Sequence, residues 1–204
     1  MVYIPEELFM DCAYLENIYF KDYAANESQY IQAQNKVTPE VEDYVSSGEL
    51  VYLPTKVMST TITSIGNSAF KGCSALNSMQ LTNSLTSIGD YAFASTGLVI
   101  AIITKNVINV GSNVFDDCQN LQNVIFLNNT LGDMMFIDCT GLTTVNLPEG
   151  ITTIGAYAFK NCGNLTTITV PTTVTSIAEG AFANCTKIED LTLPFIGASR
   201  GSTG

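Results

Sequence analysis

The chain of 204 residues contains no histidine and no tryptophan. Without histidine there is no imidazole to serve as a general base or metal ligand, so Ser–His–Asp and Cys–His arrangements are excluded. The carboxylate pairs Asp116–Asp117 and Glu189–Asp190 are sequence neighbours, whereas a glycosidase needs two carboxyl groups set across a cleft. The glycines form neither G-x-G-x-x-G nor a P-loop. We therefore predict no catalytic, cofactor-binding or metal-binding residue, and no enzyme.

Basic residues and long apolar runs are also scarce. Eight Lys and Arg stand against 19 Asp and Glu, a net charge of −11, which argues against nucleic-acid binding. No apolar run is long enough for a membrane helix, so membrane insertion is not predicted. The N-terminal MVYIPEELF lacks the basic and apolar regions of a secretory signal. Residues 1–57 carry a net charge of −7, which is typical of a solvated acidic end; a patch for basic partners is the alternative.

What the chain does contain is a repeat with a period of 21 to 23 residues, marked by six phenylalanines. The clearest unit is ITTIGAYAFKNCGNLTTITVP, residues 151–171. Cys or Thr follows each phenylalanine by three residues, and mostly aliphatic residues follow by six, nine and eleven. The six markers are Phe70, Phe93, Phe115, Phe136, Phe159 and Phe182. A unit this short cannot bury its own apolar surface, so the units must stack and share one core.

Three of the six units contain the strand pattern L-x-x-[IVM]-x-[LV], which is typical of leucine-rich repeats, and the other three approximate it. Upstream, a short strand ends at a glycine that the sharp turn requires, such as Gly66 or Gly155. The next residue is often Asn, Asp or Ser, a good helix N-cap, so we predict a short helical turn before the phenylalanine. The predicted fold is a repeat solenoid with a parallel β-sheet on one face and short strands and helical turns on the other.

One domain is expected over the whole chain. Phe9, with Cys12, Leu15, Ile18 and Phe20 at the matching spacings, predicts a complete first coil. The fourth regular coil lacks a V-T-S run before Leu131, which predicts a weak first strand there. The predicted parts are a first coil (1–20), a divergent coil plus insertion (21–57), six regular coils (58–194) and a flexible end or truncated coil (195–204).

The cysteines share one repeat position. Five of the six follow a marker phenylalanine by three residues, and Cys12 follows Phe9 by the same distance. No C-x-x-C pair suitable for zinc is present. A small buried hydrophobe recurring in each coil explains the column, and we expect free thiols. A bridge between neighbouring coils is not excluded by distance alone.

Two segments carry a resemblance to a known family. In VTSIAEGAFANC (residues 174–185) and LTSIGDYAFAST (residues 85–96), the elements TSI and AF occur in the same order, and Cys follows in the first. Over about residues 58–194 the chain resembles the BspA-like, or Treponema-type, leucine-rich-repeat family. The resemblance implies a protein-binding and adhesion module of a bacterial or protist protein, at the cell surface or secreted. With no secretory signal, a fragment of a longer protein is expected, and a cytoplasmic protein is the alternative.

The outward side of the leucine-rich strands is the predicted protein-binding face. Its side chains are expected eight and ten residues after each phenylalanine. They are Ser78, Gln80, Ala101, Ile103, Asn123, Ile125, Thr144, Asn146, Thr167 and Thr169. Ala101, Ile103 and Ile125 would form an apolar patch. The alternative is that Leu98 shifts the local register by one residue and turns Ile103 inward.

The predicted partner is a protein or extracellular-matrix ligand, and end-to-end self-association through open solenoid ends is a further possibility. The alternative function is a structural spacer within a larger surface protein, with no ligand of its own.

Overall fold

The computed structural model describes residues 2–15, 51–52, 62–81 and 84–194. They form a β-solenoid of stacked coils, and all pairings between their strands are parallel. The strands are β1 (Val2–Ile4), β2 (Val51–Tyr52), β3 (Ile62–Ile65), β4 (Met79–Gln80), β5 (Ser87–Ile88), β6 (Ile100–Ile103), β7 (Asn109–Val110), β8 (Asn123–Phe126), β9 (Thr144–Asn146), β10 (Thr153–Ile154), β11 (Thr167–Thr169), β12 (Ser176–Ile177) and β13 (Asp190–Thr192). The predicted leucine-rich-repeat solenoid is confirmed.

Strands cover two sides of the solenoid. One side contains the sheet β1-β3-β5-β7 and the pair β10-β12. The other side, built by the leucine-rich strand pattern, contains β2-β4, β6-β8 and β13-β11-β9. A bridge between Ser78 and Ile100 joins the coils of β4 and β6 on that side. The core therefore runs as a column between the two sides.

A stack of phenylalanine rings forms the centre of this column. From Phe9 to Phe182, successive ring centroids lie 5.3 to 5.7 Å apart, and the rings are within 13° of parallel. The five rings between these two ends are at most 2% exposed. Each interior ring is thus covered on both faces by its neighbours, so no coil can bury its ring alone.

The first coil differs from the prediction. Phe9 stacks directly on Phe70, so no further phenylalanine-bearing coil lies between them. The strand beside β4 is β2, and therefore comes from residues 51–52 rather than from residues 18–20. A complete coil in residues 1–20 is wrong in this respect. Most of residues 21–57, and all of residues 195–204, lie outside the described residues, so the expectations for them stay predictions.

The predicted helical turns are also wrong, because none of the described residues is helical. Around each phenylalanine the chain makes linked turns, with left-handed residues two positions before and two positions after the ring. Those before it are Glu7, Ser68, Tyr91, Asn113, Met134, Tyr157 and Gly180. Those after it are Asp11, Gly72, Ser95, Asp117, Asp138, Asn161 and Asn184. A helix would direct these N–H groups into its own segment, whereas the linked turns direct them toward the next coil.

This direction produces a ladder of hydrogen bonds between coils. The N–H groups of Tyr157 and Phe159 donate to the carbonyls of Glu179 and Ala181, at 3.0 and 2.8 Å. The N–H group of Asn161 donates to the Ala183 carbonyl at 2.8 Å. The same three positions donate at each of six junctions, with N···O distances of 2.6 to 3.2 Å. A left-handed residue other than glycine costs roughly 1–2 kcal/mol, which is close to the net value of about 1 kcal/mol for a hydrogen bond. The turns are therefore stable only where a neighbouring coil supplies the acceptors.

The predicted N-cap residues also connect neighbouring coils. The Asn67 side-chain oxygen accepts the N–H of Asp90, and the Asp90 carboxylate accepts the N–H of Ser112, both at 2.8 Å. Asp133 does the same for the N–H of Ala156 at 2.8 Å. With no helix to cap, each side chain satisfies a donor of the following coil.

The repeat glycines are required for space rather than for a special turn. A Cβ at Gly66 would lie 2.6 Å from the backbone nitrogen of Glu6, and one at Gly155 would lie 2.9 Å from that of Asp133. Real Cβ atoms essentially never approach backbone this closely, and neither glycine has a positive φ. Glycine is therefore needed because neighbouring coils are in close contact, and the expectation that the turn conformation requires it is wrong.

The fourth regular coil is short, as predicted. No strand lies between residues 127 and 143, and the first side of the solenoid is interrupted between β7 and β10. The Asn128 side-chain amide donates to the Val107 carbonyl at 2.8 Å. A side chain thereby satisfies a backbone acceptor at the interruption.

The cysteines form a second ladder beside the rings. Five of the six thiols donate to the phenylalanine carbonyl of the preceding coil at 3.0 to 3.2 Å: Cys73 to Phe9, Cys118 to Phe93, Cys139 to Phe115, Cys162 to Phe136 and Cys185 to Phe159. The predicted burial is confirmed for the middle of the column, while Cys12 at its start is exposed. Burial raises the pKa of the Cys73 and Cys118 thiols to about 11 and raises that of Cys139.

The raised pKa values of the buried thiols predict that the fold becomes less stable at alkaline pH. A thiol whose pKa is higher in the folded protein contributes its full stabilisation below its unfolded pKa of about 9. This contribution is lost as the pH rises toward the folded pKa of about 11. Cys118→Ala should reduce the loss of unfolding free energy between pH 9 and 11 by roughly 2 kcal/mol. Urea denaturation across this range, followed by circular dichroism, measures the slope. Thr152→Ala, at an exposed position with no ionisable group, is the control and should keep the parent slope. Equal slopes for the parent and Cys118→Ala would contradict the prediction.

Candidate protein-binding face

Strands β8, β9 and β11 present side chains on the outward side of the solenoid, and those of β9 and β11 are in register. Thr144 pairs with Thr167, and Asn146 pairs with Thr169. Between them, Val145 is buried, because successive residues of a strand point to opposite sides. The six side chains that point outward from these strands are Asn123, Ile125, Thr144, Asn146, Thr167 and Thr169. We call this set the outward face.

The outward face is exposed and uncharged. Of its members only Ile125 is half-buried, and the other five are exposed. The same rows continue into β13, where Asp190 pairs with Thr167 and Thr192 pairs with Thr169. Asn and Thr therefore present hydrogen-bond donors and acceptors in regular rows, with one aliphatic side chain at the edge.

The predicted placement of three further residues on this face is wrong. Ser78 is 6% exposed, Ala101 is 3% exposed and Ile103 is fully buried. Ala101 pairs with Val124, and Ile103 pairs with Phe126, both of which point into the core. The apolar patch of Ala101, Ile103 and Ile125 therefore does not form. Gln80 lies in β4, in register with Tyr52.

A one-residue shift in the second regular coil explains the error. Leu98 is 2% exposed and fills a core position one residue early. Val99 donates to the Asn77 carbonyl and accepts from the N–H of Gln122, both at 2.9 Å. In other coils these hydrogen bonds are made by the seventh residue after the phenylalanine, whereas Val99 is the sixth. The alternative raised by Leu98 is the correct one.

The shift makes Ile100 and Ile102 the outward residues of β6, opposite Asn123 and Ile125. Ile102 is nevertheless only 3% exposed, and Ile100 is half-buried. The accessible part of the outward face therefore begins at β8.

A small cavity lies in the core of the described part of the chain. The cavity beside Ala101, between the second and third regular coils, holds about 10 Å³, enough for at most one water molecule. Among the described residues, no group of three acidic or cysteine side chains is arranged to hold a metal ion. Nor does that part of the chain contain a helix with the length and apolarity needed to cross a bilayer.

Stacked coils, parallel leucine-rich strands and a shared core define a leucine-rich-repeat protein. Residues 49–131 and 128–197 match the family described as "BspA type Leucine rich repeat region (6 copies)". The chain therefore belongs to the BspA-type leucine-rich-repeat family. No curated protein is significantly similar to it.

Solved bacterial proteins share the fold. The chain is 26% identical to a leucine-rich repeat protein from Bacteroides ovatus, with a TM-score of 0.57, over 71% of this chain and 42% of that one. For a leucine-rich repeat protein from Eubacterium ventriosum the identity is 24% and the TM-score 0.54, over 78% of this chain and 46% of that one. The chain thus spans less than half the length of either protein.

The register shift predicts that two similar substitutions reduce the unfolding free energy by very different amounts. Ile103→Asp places a charge in the core and should cost more than about 4 kcal/mol of unfolding free energy. Ile125→Asp, on the half-buried outward position, should cost about 1 kcal/mol. Urea denaturation of both variants measures the difference. Equal losses would show that Ile103 does not point inward.

Proposed function

We propose that the chain is a protein-binding and adhesion module of a bacterial protein, which binds a protein or extracellular-matrix ligand through the outward face. The observation that carries this proposal is the set of exposed Asn and Thr side chains on neighbouring strands, which are in register on β9 and β11. Extended faces of stacked repeats suit ligands too large for a pocket.

The chemistry of the face favours a protein ligand. Asn and Thr offer donors and acceptors without charge, so binding does not remove an unpaired ion from water. Threonine is stiff at χ1, so little conformational entropy is lost when it is fixed in a complex. Ile125 adds an apolar contact at one edge, as in the mixed surfaces of transient protein interfaces. None of the six positions is basic, which disfavours nucleic acid.

A cell-surface or secreted location is the setting we infer for this activity. Its support is membership of the BspA-type family, whose resemblance implies a surface module. Because the chain spans less than half of the solved relatives, the ligand and attachment of the whole protein belong to this proposal.

A structural spacer is the second candidate. It is supported by the even spacing of the phenylalanine column, 5.3 to 5.7 Å at each step, which suits a rigid rod. A spacer would not depend on the chemistry of its outward face.

Paired substitutions separate the two functions. Thr144→Glu with Thr167→Glu places two charges on adjacent strands of the outward face without disturbing the core. We expect at least a tenfold loss of binding to immobilised extracellular-matrix proteins and to host-cell surfaces, because uncharged contacts are replaced by unpaired carboxylates. Surface plasmon resonance and counts of adherent protein-coated beads measure the effect.

The matched control is Thr152→Glu with Thr175→Glu. These threonines are also exposed on adjacent coils, but on the opposite side of the solenoid. The control should bind like the parent. If both variants bind equally well, the outward face is not the binding site; if the parent binds neither surface, the spacer is favoured.

A further inference from the structure

The junction between the third and fourth regular coils, which contain Phe115 and Phe136, is held differently from the others. On the leucine-rich side, β8 and β9 belong to separate sheets, β6-β8 and β13-β11-β9. On the other side, the sheet that ends at β7 does not continue into the fourth coil. At every other junction between regular coils, strands of the described residues are paired on at least one side. This junction is paired on neither side.

Individual backbone amides show the same break. The N–H group of Thr166 donates to the Thr143 carbonyl at 2.9 Å, whereas the N–H group of Thr143, at the same repeat position one coil earlier, donates to no described residue. Likewise, the N–H group of Gly111 donates to the Ile88 carbonyl at 2.8 Å, and that of Gly132 finds no acceptor in the described part of the chain. Both of these N–H groups belong to the fourth coil, so bonds that would connect it to the third coil are missing on both sides.

The hydrogen bonds around the phenylalanines remain intact at this junction. The N–H groups of Phe115 and Asp117 donate to the carbonyls of Met135 and Ile137, both at 2.9 Å. The rings of Phe115 and Phe136 stack at 5.5 Å, as they do elsewhere in the column. The two coils are therefore held along one line beside the rings, which is the geometry of a hinge and its axis.

Phe126 explains the separation on the leucine-rich side. It occupies the eleventh position after a marker phenylalanine, where the next two coils have Leu147 and Val170. Its ring meets Phe136 edge-on, with the centroids 6.0 Å apart and the planes at 84°. A phenylalanine ring needs more space than a leucine or valine side chain, and packed neighbours must move to accommodate it. Phe126 therefore acts as a wedge between β8 and β9.

The short fourth coil explains the separation on the other side. Phe126 stands ten positions before the next marker phenylalanine, whereas Leu147 stands 12 positions before Phe159. With two residues fewer, this coil forms no strand beside β7 or β10. The Asn128 side-chain amide crosses the junction to the Val107 carbonyl at 2.8 Å, but the Asn128 side-chain oxygen is buried with no partner among the described residues.

We propose that this junction is a hinge, at which the coils up to the third and the coils from the fourth onward tilt about the hydrogen bonds beside the rings. The tilt opens and closes the space between β8 and β9. At the other junctions paired strands resist such a tilt, because their backbone hydrogen bonds would have to break. Hinge motions of this kind occur on the microsecond to millisecond timescale.

The hinge divides the outward face into two parts. Asn123 and Ile125 lie before it on β8, and Thr144 and Asn146 lie after it on β9. Opening changes the distance between the two parts, so a ligand that contacts both strands selects one hinge angle from those the protein samples. This consequence rests on the proposed function, whereas the hinge itself does not.

Distances between pairs of spin labels, measured by electron paramagnetic resonance without any ligand, test the hinge. Asn77 and Glu189 lie on the leucine-rich side, and Ser74 and Thr186 lie close to the axis; all four are exposed, and both pairs join the first and sixth regular coils. Labels attached through ketone-bearing amino acids leave the native thiols unmodified. The distance distribution of the first pair should be roughly twice as wide as that of the second. Equal widths would overturn the proposal.

Phe126→Leu tests the cause of the separation. Leucine needs less space, so β8 and β9 should pair and the distribution between Asn77 and Glu189 should become as narrow as the other. Exchange of the Thr143 amide hydrogen should slow by roughly tenfold, because its N–H group gains an acceptor. Leu147→Val, at the same repeat position of the fourth coil, is the control and should change neither result.

Unchanged width and unchanged exchange in Phe126→Leu would overturn the assignment of Phe126 as the wedge. Circular dichroism checks that the variant keeps the parent fold. The comparison of the two label pairs in the parent needs no core substitution, so it decides the proposal even if Phe126→Leu unfolds. No ligand enters either measurement, so failure of the ligand proposal is distinguishable from failure of this one.

Discussion

The backbone hydrogen bonds between neighbouring coils are the constraint on which the rest of the structure depends. They require left-handed residues on both sides of every marker phenylalanine, including residues such as Tyr157 and Met134 that rarely adopt this conformation. A single coil would bear that conformational cost with no acceptor for its N–H groups. The ladder and the ring column are therefore formed together, as coils are added to an existing stack.

The ladder also determines which side chains reach the surface. Because each coil is held to the next around its phenylalanine, the number of residues from that point to the leucine-rich strand decides which residues point inward. Leu98 shortens this distance by one residue, and Ala101 and Ile103 turn into the core as a result. Coils with the ordinary spacing place Thr144 and Thr167 in line on the outward face.

The repeat positions could be predicted from the sequence because the same column of apolar residues appears in every unit. The register of β6 could not, because Ile100–Ile103 is apolar throughout and its pattern does not distinguish inward from outward residues. Local propensity predicts helices where the linked turns lie, because it does not reveal the acceptors in the next coil. The reason for glycine at Gly66 and Gly155 is likewise a contact with a residue far away in sequence.

The first coil shows that neighbouring coils need not be neighbours in sequence. Phe9 stacks on Phe70, although the two residues are 61 positions apart. The ring column is therefore continuous across the long segment that joins the first coil to the regular coils.

Amide hydrogen exchange measured by NMR tests the ladder most directly. Tyr91, Phe93 and Ser95 donate to the next coil at 3.1, 2.9 and 2.7 Å, and no described residue accepts from the intervening Ala92. The account predicts slow exchange at Tyr91, Phe93 and Ser95 and faster exchange at Ala92. Uniform protection of residues 91–95, as in a helix, would contradict it.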